Sequence, residues 1–131
     1  MVISIETQCQ KIGQLLFDST MGSNGKTLLY SEVEEGVISG DIFYINSARI
    51  VRYLFSNRQL KSEIYSLWRN WKDAPGNREW RTMEYVIEDG KFSIDFKYPD
   101  QIDPELDTLD RRPDVILKHF GDMEVDYSKP E

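Results

Sequence analysis

Two side chains, His119 and Cys9, belong to the types that most often carry nucleophilic or proton-transfer chemistry near neutral pH. Cys9 follows Ile5 by four residues and precedes Ile12 by three, a spacing that places it on the apolar stripe of a helix. His119 stands near the end of another predicted helix, where a partly protonated imidazole suits the helix dipole. We therefore expect structural roles for both residues and predict no catalytic residue.

The carboxylates offer two further possibilities, a catalytic pair and a metal site. Glu84 and Asp95 lie on neighbouring strands of a predicted hairpin and could form a glycosidase-like pair, although no substrate cleft accompanies them. The acidic segment from Asp100 to Asp110 lacks the glycine and the closing glutamate that an EF-hand loop requires. Residues 22–26 contain two glycines and a lysine without the spacing of a phosphate-binding loop. The sequence thus predicts neither a metal nor a cofactor.

Composition indicates one water-soluble domain. The chain has 131 residues, of which 40% are hydrophobic and 30% charged, and its mean hydropathy is -0.53. No apolar run approaches the roughly 18 residues that span a bilayer, and the first ten residues do not resemble a secretion signal. The single cysteine forms no internal disulfide, which agrees with a reducing compartment. We expect a cytoplasmic protein that does not require a membrane.

The net charge of -7 is distributed unevenly along the chain. Residues 1–83 contain ten basic and nine acidic residues, a net of +1, whereas residues 84–131 contain six and fourteen, a net of -8. Such a field repels phosphate backbones and anionic membranes, and it attracts basic proteins. We therefore predict a protein partner and no direct binding to nucleic acid.

Hydrophobic spacing predicts three helices. The first covers residues 4–21, begins at Ser4 and ends at Gly22. The second covers residues 57–72 and is terminated by a proline and a glycine. Its apolar stripe is formed by Leu60, Ile64, Leu67, Trp68 and Trp71. A short third helix begins near Pro113 and ends at Gly121.

Five strands are predicted from β-branched and aromatic residues and from alternation. They cover residues 27–34, 37–46, 49–55, 80–88 and 92–98. Asp89 and Gly90 suit a type I′ turn between the last two. The chain is thus an α+β protein of order αβββαββα, with an antiparallel sheet, helices packed mainly on one face and an open opposite face. We assign one domain to residues 4–121 and a flexible acidic tail to 122–131.

Several segments resemble the YezG-type immunity proteins. The signature is the segment from Met83 to Asp100, in which a strand, a turn with Gly90 and a Lys-Phe-x-x-Asp-Phe-x-Tyr-like strand follow one another. The resemblance extends over roughly residues 4–121. It includes the opening helix, the strand at 40–44, the helix at 60–71, the pair Arg111-Arg112 and the ending Phe120-Gly121.

The resemblance implies a non-catalytic cytoplasmic antidote that binds a bacterial toxin domain, such as those of contact-dependent inhibition systems, and blocks its activity. Many such toxins are nucleases, which must be basic to hold their substrates, so an acidic inhibitor can cover the active site. Two alternatives stay open: a non-catalytic adaptor or regulatory domain that self-associates through the open sheet face, and an enzyme that uses Glu84 and Asp95.

Charge alone identifies the surface that would contact the toxin. The candidate residues are Asp100, Asp103, Glu105, Asp107, Asp110, Glu84, Glu88 and Trp80. In the alternation of its strand, Trp80 falls on the side that carries the polar residues. It is therefore either an exposed contact residue or a residue packed beneath a loop. The sequence does not decide between these two positions.

Overall fold

The computed structural model describes residues 5–20, 25–46, 49–103 and 105–127, within which the chain forms three α-helices and one six-stranded sheet. The elements are α1 (Ile5–Ser19), β1 (Thr27–Glu34), β2 (Val37–Ile45), β3 (Val51–Phe55), α2 (Arg58–Asp73), β4 (Thr82–Glu88), β5 (Lys91–Lys97), α3 (Thr108–Phe120) and β6 (Val125–Asp126). A short 3-10 turn, Pro99–Gln101, precedes α3. This arrangement confirms the α+β class and the predicted order. The expected caps Ser4 and Gly22, and residues 47–48 of the predicted β2–β3 connection, lie outside the described residues.

The strands lie in the order β5-β4-β1-β2-β3-β6, and adjacent strands are antiparallel except β3 and β6. Asp89 and Gly90 have positive φ values of 55° and 75°, as expected for the predicted type I′ turn. β6 pairs with Val51 and Arg52 of β3. The segment 122–131, which we predicted to be flexible, therefore includes a short strand, and its last four residues lie outside the described part.

α1 and α2 cover one face of the sheet. Their apolar stripes enclose a core with the side chains of β1, β2 and β4 that point the same way. The main members are Cys9, Ile12, Leu16, Leu29, Ile42, Leu60, Ile64, Leu67, Trp68, Met83 and Tyr85. β5 contributes less to this core, because this edge strand leaves Ile94 and Phe96 half-buried and Phe92 45% exposed. Cys9 is buried, as its position on the apolar stripe predicted.

α3 covers the other face. Its Val115, Ile116 and Phe120 pack on a second apolar cluster of β1, β2, β3 and β4 that includes Leu28, Tyr30, Phe43, Val51 and Val86. Two helices on one face and one on the other agree with helices packed mainly on one face. The expectation that the second face is open was wrong, because α3 occupies it.

α3 begins at Thr108, five residues before the predicted start at Pro113. Asp107 caps the helix and Asp110 completes a reciprocal capping box, so Pro113 lies inside the helix. None of the described helices is both long and apolar enough to cross a membrane.

Candidate functional site

The acidic segment that the sequence singled out continues directly into α3 and is fastened to it. The Asp107 carboxylate accepts a hydrogen bond from the Asp110 backbone N–H at 3.0 Å, and the Asp110 carboxylate accepts one from the Asp107 N–H at 3.1 Å. Arg111 donates from Nη1 to the carbonyl oxygens of Asp103 and Leu106. Loop and helix therefore form one surface, which we call the α3 surface and define as residues 103 and 105–117.

The α3 surface is held to the sheet first by Glu32 of β1, whose side chain is only 2% exposed. Arg111 makes a bidentate pair with it, with Nη2 2.6 Å from Oε1 and Nε 2.9 Å from Oε2. Tyr30 donates its hydroxyl at 2.5 Å and Thr108 at 2.7 Å, and Arg81 lies 3.2 Å away. Burial raises the pKa of Glu32, but the hydrogen bonds from Arg111, Tyr30 and Thr108 and the charge of Arg111 outweigh it and lower the pKa to about 2. Glu32 is therefore ionised at neutral pH.

A second buried carboxylate, Asp41 of β2, pairs with the next residue of α3. Arg112 Nη1 lies 3.5 Å from Asp41 Oδ2, and the Tyr53 hydroxyl donates to Oδ1 at 2.6 Å. The Arg112 guanidinium also lies 5.4 Å from the ring centroid of Tyr53 and 5.6 Å from that of Tyr127, within range of cation–π attraction. Both arginines of α3 thus point towards the sheet.

A third buried carboxylate, Glu84 of β4, fixes the C-terminal half of α3. Its Oε1 lies 2.9 Å from Lys118 Nζ and 2.6 Å from His119 Nε2. Burial raises the pKa of Glu84, but the hydrogen bonds from His119 and Lys118 lower it below its ordinary value. Asp95, the partner of Glu84 across the hairpin, lies 3.6 Å from the same Lys118. The two carboxylates do meet, as the sequence suggested, but as part of an ion-pair cluster beneath a helix.

The position of Glu84 argues against both roles that the sequence allowed for it. Its side chain is 2% exposed and enclosed by α3, so it cannot reach a substrate or a partner without displacing the helix. The described residues also hold no group of three or more His, Cys, Asp or Glu side chains that could bind a metal ion. The buried carboxylates Glu32, Asp41 and Glu84 hold α3 against the sheet.

Trp80 is not an exposed contact residue. It is 1% exposed, and its ring stacks on Phe96 with 4.9 Å between centroids. Its carbonyl accepts a hydrogen bond from Trp68 Nε1 at 2.8 Å. The alternation of β4 does not extend to Trp80, because the strand begins two residues later, at Thr82. Of the two positions that the sequence allowed, Trp80 therefore has the packed one.

The remaining candidate residues are exposed but do not form one patch. Asp100 pairs with Arg78 at 3.1 Å, whereas Asp103, Glu105, Asp107 and Asp110 line the start of the α3 surface. Thr82, at the start of β4, lines a cavity with Asp103. Glu88 lies at the other end of β4, six residues and thus roughly 20 Å along the strand from Thr82. The structure therefore brings together four of the eight predicted contact residues.

Three further exposed residues of this surface were not predicted from the sequence as contact residues: Leu109, Asp114 and Leu117. Because the helix begins at Thr108, Leu109 and Leu117 both belong to it and lie on the same side of the helix. The Asp107-x-x-Asp110 spacing could have predicted this helix start, because it is a capping box with aspartate in place of the usual glutamate.

An apolar groove of about 590 Å³ lies on the other side of the molecule, between α1 and the β4–β5 turn. Phe17, Tyr85 and Phe92 contribute its apolar walls, and Asp89 and Lys91 lie at its mouth. Its two charges are of opposite sign, so the groove lacks the acidic character of the α3 surface.

The family model of the YezG-like immunity proteins matches residues 15–130, which is most of the chain. The chain belongs to the YezG-like immunity protein family. A search of curated proteins found no significant match. Membership assigns the chain an immunity role and implies a toxin protein as its partner. The matched region includes all of the α3 surface and β6.

Proposed function

We propose that this immunity protein acts in the bacterial cytoplasm, binding a cognate toxin domain and covering its active site with the α3 surface. The toxin is a basic nuclease, of the kind delivered by contact-dependent inhibition systems. Family membership supports the immunity role. The acidic charge of the α3 surface supports a basic toxin and this surface as the contact.

The observation that carries the proposal is the separation of charge across α3. Arg111 and Arg112 point towards buried carboxylates, so they neutralise the interior and contribute little positive charge to the outer side. Glu105, Asp110 and Asp114 remain exposed on that outer side. A nuclease must present positive charge to the phosphates of its substrate, and an acidic surface accelerates encounter with such a cleft.

Binding, without chemistry on a substrate, is enough for this function. The α3 surface is built around a helix, and its exposed acids could occupy positions that phosphates would take in the toxin cleft. Stable blocking also requires desolvated contacts near the centre of the interface, since rim charges mainly affect the association rate.

The test is a charge reversal that leaves the fold intact. Asp103 and Asp107 are unsuitable, because their carboxylates accept hydrogen bonds that hold the loop and the helix cap. Glu105 and Asp114 are exposed, and within the described residues their carboxylates make no ion pair or hydrogen bond. The double variant Glu105→Lys with Asp114→Lys therefore changes the surface charge with little effect on stability.

The matched control is Glu6→Lys with Glu88→Lys, which changes the net charge equally at two exposed positions away from the α3 surface. The partner is the inactivated toxin domain encoded beside this gene. We expect the Glu105 and Asp114 reversal to slow association about tenfold at low salt and to flatten its salt dependence, whereas the control has a smaller effect. Equal effects of the two double variants would show that only net charge matters and would refute the assignment of the surface.

A further inference from the structure

The outer side of α3 is apolar at positions where a surface helix is normally polar. Leu109 is 65% exposed and Leu117 60% exposed, and Pro113, between them, is also exposed. Leu106, just before the helix cap, is 41% exposed and lines a cavity with Arg111 and Val115. We call Leu109, Pro113 and Leu117 the leucine ridge.

The ridge is continuous along the helix. Leu109, Pro113 and Leu117 follow one another at intervals of four residues, which places them in one row about 12 Å long. Asp110 and Asp114 form the adjacent row at the same interval. The α3 surface therefore combines an apolar row with an acidic row beside it.

α3 does not need these leucines to pack. A surface helix normally buries its apolar stripe and exposes its charges. Here the sheet-facing side already buries Val115, Ile116 and Phe120 and pairs Arg111 and Arg112 with buried carboxylates, while the ridge faces solvent. Of the other exposed large apolar residues, Phe17 and Phe92 line the groove beside α1, whereas Val37, Phe55 and Tyr127 lie on β2, on β3 and at the end of the described chain. A contiguous apolar row with a polar margin is typical of a protein-binding surface.

We propose that the leucine ridge is the energetic centre of the toxin interface, with Glu105, Asp110 and Asp114 at its margin. This inference rests on the immunity function proposed above and names the contact that would hold the toxin once the acids have guided it. The complementary surface on the toxin is an apolar depression next to basic residues. Apolar residues at the centre of an interface, excluded from water by a polar margin, dominate binding and limit dissociation.

Charge favours a basic partner over a second copy of this chain. Each copy carries a net charge of -7. A symmetric contact across two ridges would bring the acidic rows of both copies together, and like charges in an interface oppose association. A basic toxin domain gains attraction from the same acids.

The test compares rate constants for the purified, inactivated toxin domain encoded beside this gene. The variant is Leu109→Ser with Leu117→Ser, and the control is Val37→Ser, at a position 57% exposed on β2. We expect the ridge variant to dissociate about 30-fold faster while its association rate and salt dependence stay within twofold of the unmodified protein. The control should match the unmodified protein in both rates. The Glu105 and Asp114 reversal described above should instead change the association rate and its salt dependence.

Three results separate the possible failures. If the unmodified protein binds the toxin domain and the ridge variant dissociates equally slowly, the ridge inference is wrong and the immunity function stands. If the unmodified protein neither binds nor protects cells, the proposed function itself fails, and the ridge inference with it. If sedimentation shows that the unmodified protein is a dimer and the ridge variant a monomer, the ridge is a self-association surface and the proposal is wrong.

The substituted side chains are exposed, so the melting temperature of the ridge variant should stay within about 2 °C of the unmodified protein. If the double variant is less stable than this, the single variant Leu117→Ser provides the same comparison with a smaller expected effect, a dissociation rate at least fivefold faster. An unchanged dissociation rate in that folded single variant would overturn the proposal.

Discussion

Replacing Glu32 with glutamine should destabilise the protein strongly and in a pH-dependent way. Glu32 is buried and its two carboxylate oxygens accept hydrogen bonds from Arg111, Thr108 and Tyr30. A glutamine is similar in shape but neutral, so Glu32→Gln leaves the Arg111 guanidinium without its bidentate counter-ion. Breaking a buried ion pair by removing one partner costs about 3–5 kcal/mol.

The pKa gives an independent magnitude. The ordinary value of 4.5 falls to about 2 in the folded protein, and this difference corresponds to about 3 kcal/mol. Because the folded-state pKa is the lower one, the ionised carboxylate favours folding above pH 4.5, and this contribution is lost as the pH falls towards 2. At pH 3 somewhat less than half of this contribution should remain. For a chain of 131 residues, 3 kcal/mol lowers the melting temperature by about 11 °C.

The assay is urea denaturation of both proteins at pH 7, 5, 4 and 3, with Glu34→Gln as the control on the same strand. Glu34 has a side chain that is 58% exposed and lies 3.9 Å from Arg81, so its replacement should change the free energy of unfolding by less than about 0.5 kcal/mol. A Glu32→Gln effect below 1 kcal/mol at pH 7, or one that stays constant down to pH 3, would refute the argument that this ion pair holds α3.

Three further substitutions test the packing. Gly13→Ala would bring a Cβ within 2.4 Å of the Tyr85 hydroxyl and should destabilise the protein by about 2 kcal/mol in thermal denaturation. In the Tyr85→Phe background, which lacks that hydroxyl, the same substitution should no longer destabilise. Ile94→Asp, at a half-buried edge position, should cost about 2 kcal/mol in urea denaturation, whereas Ser93→Asp on the other side of β5 should be nearly neutral. Asp107→Ala removes the α3 cap and should cost about 1 kcal/mol; no change would contradict the capping role.

Much of the fold follows from local patterns. α2 was predicted within one residue at each end, because Asn57 caps it and its apolar stripe has a regular helical spacing. The β4–β5 hairpin was predicted from Asp89-Gly90 and strict alternation. In both cases the deciding residues are neighbours in sequence, so the signal is contained in a short window.

The second face of the sheet could not be predicted in this way. Glu32 and Glu84 sit at positions where alternation suggests exposure, and their burial depends on cations of α3 that lie 79 and 34 residues away. Periodicity detects apolar faces, and it does not detect a face on which buried charges are paired with another element. The same limitation concealed the leucine ridge, because its exposure follows from the ion pairs that fix the orientation of α3.

Inhibition of the toxin by the purified protein tests the central claim most directly. The measurement is nucleic-acid cleavage by the active toxin domain encoded beside this gene, titrated with the immunity protein at physiological salt. We predict that cleavage falls to background as the immunity protein reaches a fixed molar ratio, and that the leucine-ridge variant requires a large excess for the same effect. Full cleavage in the presence of excess unmodified protein would contradict the account.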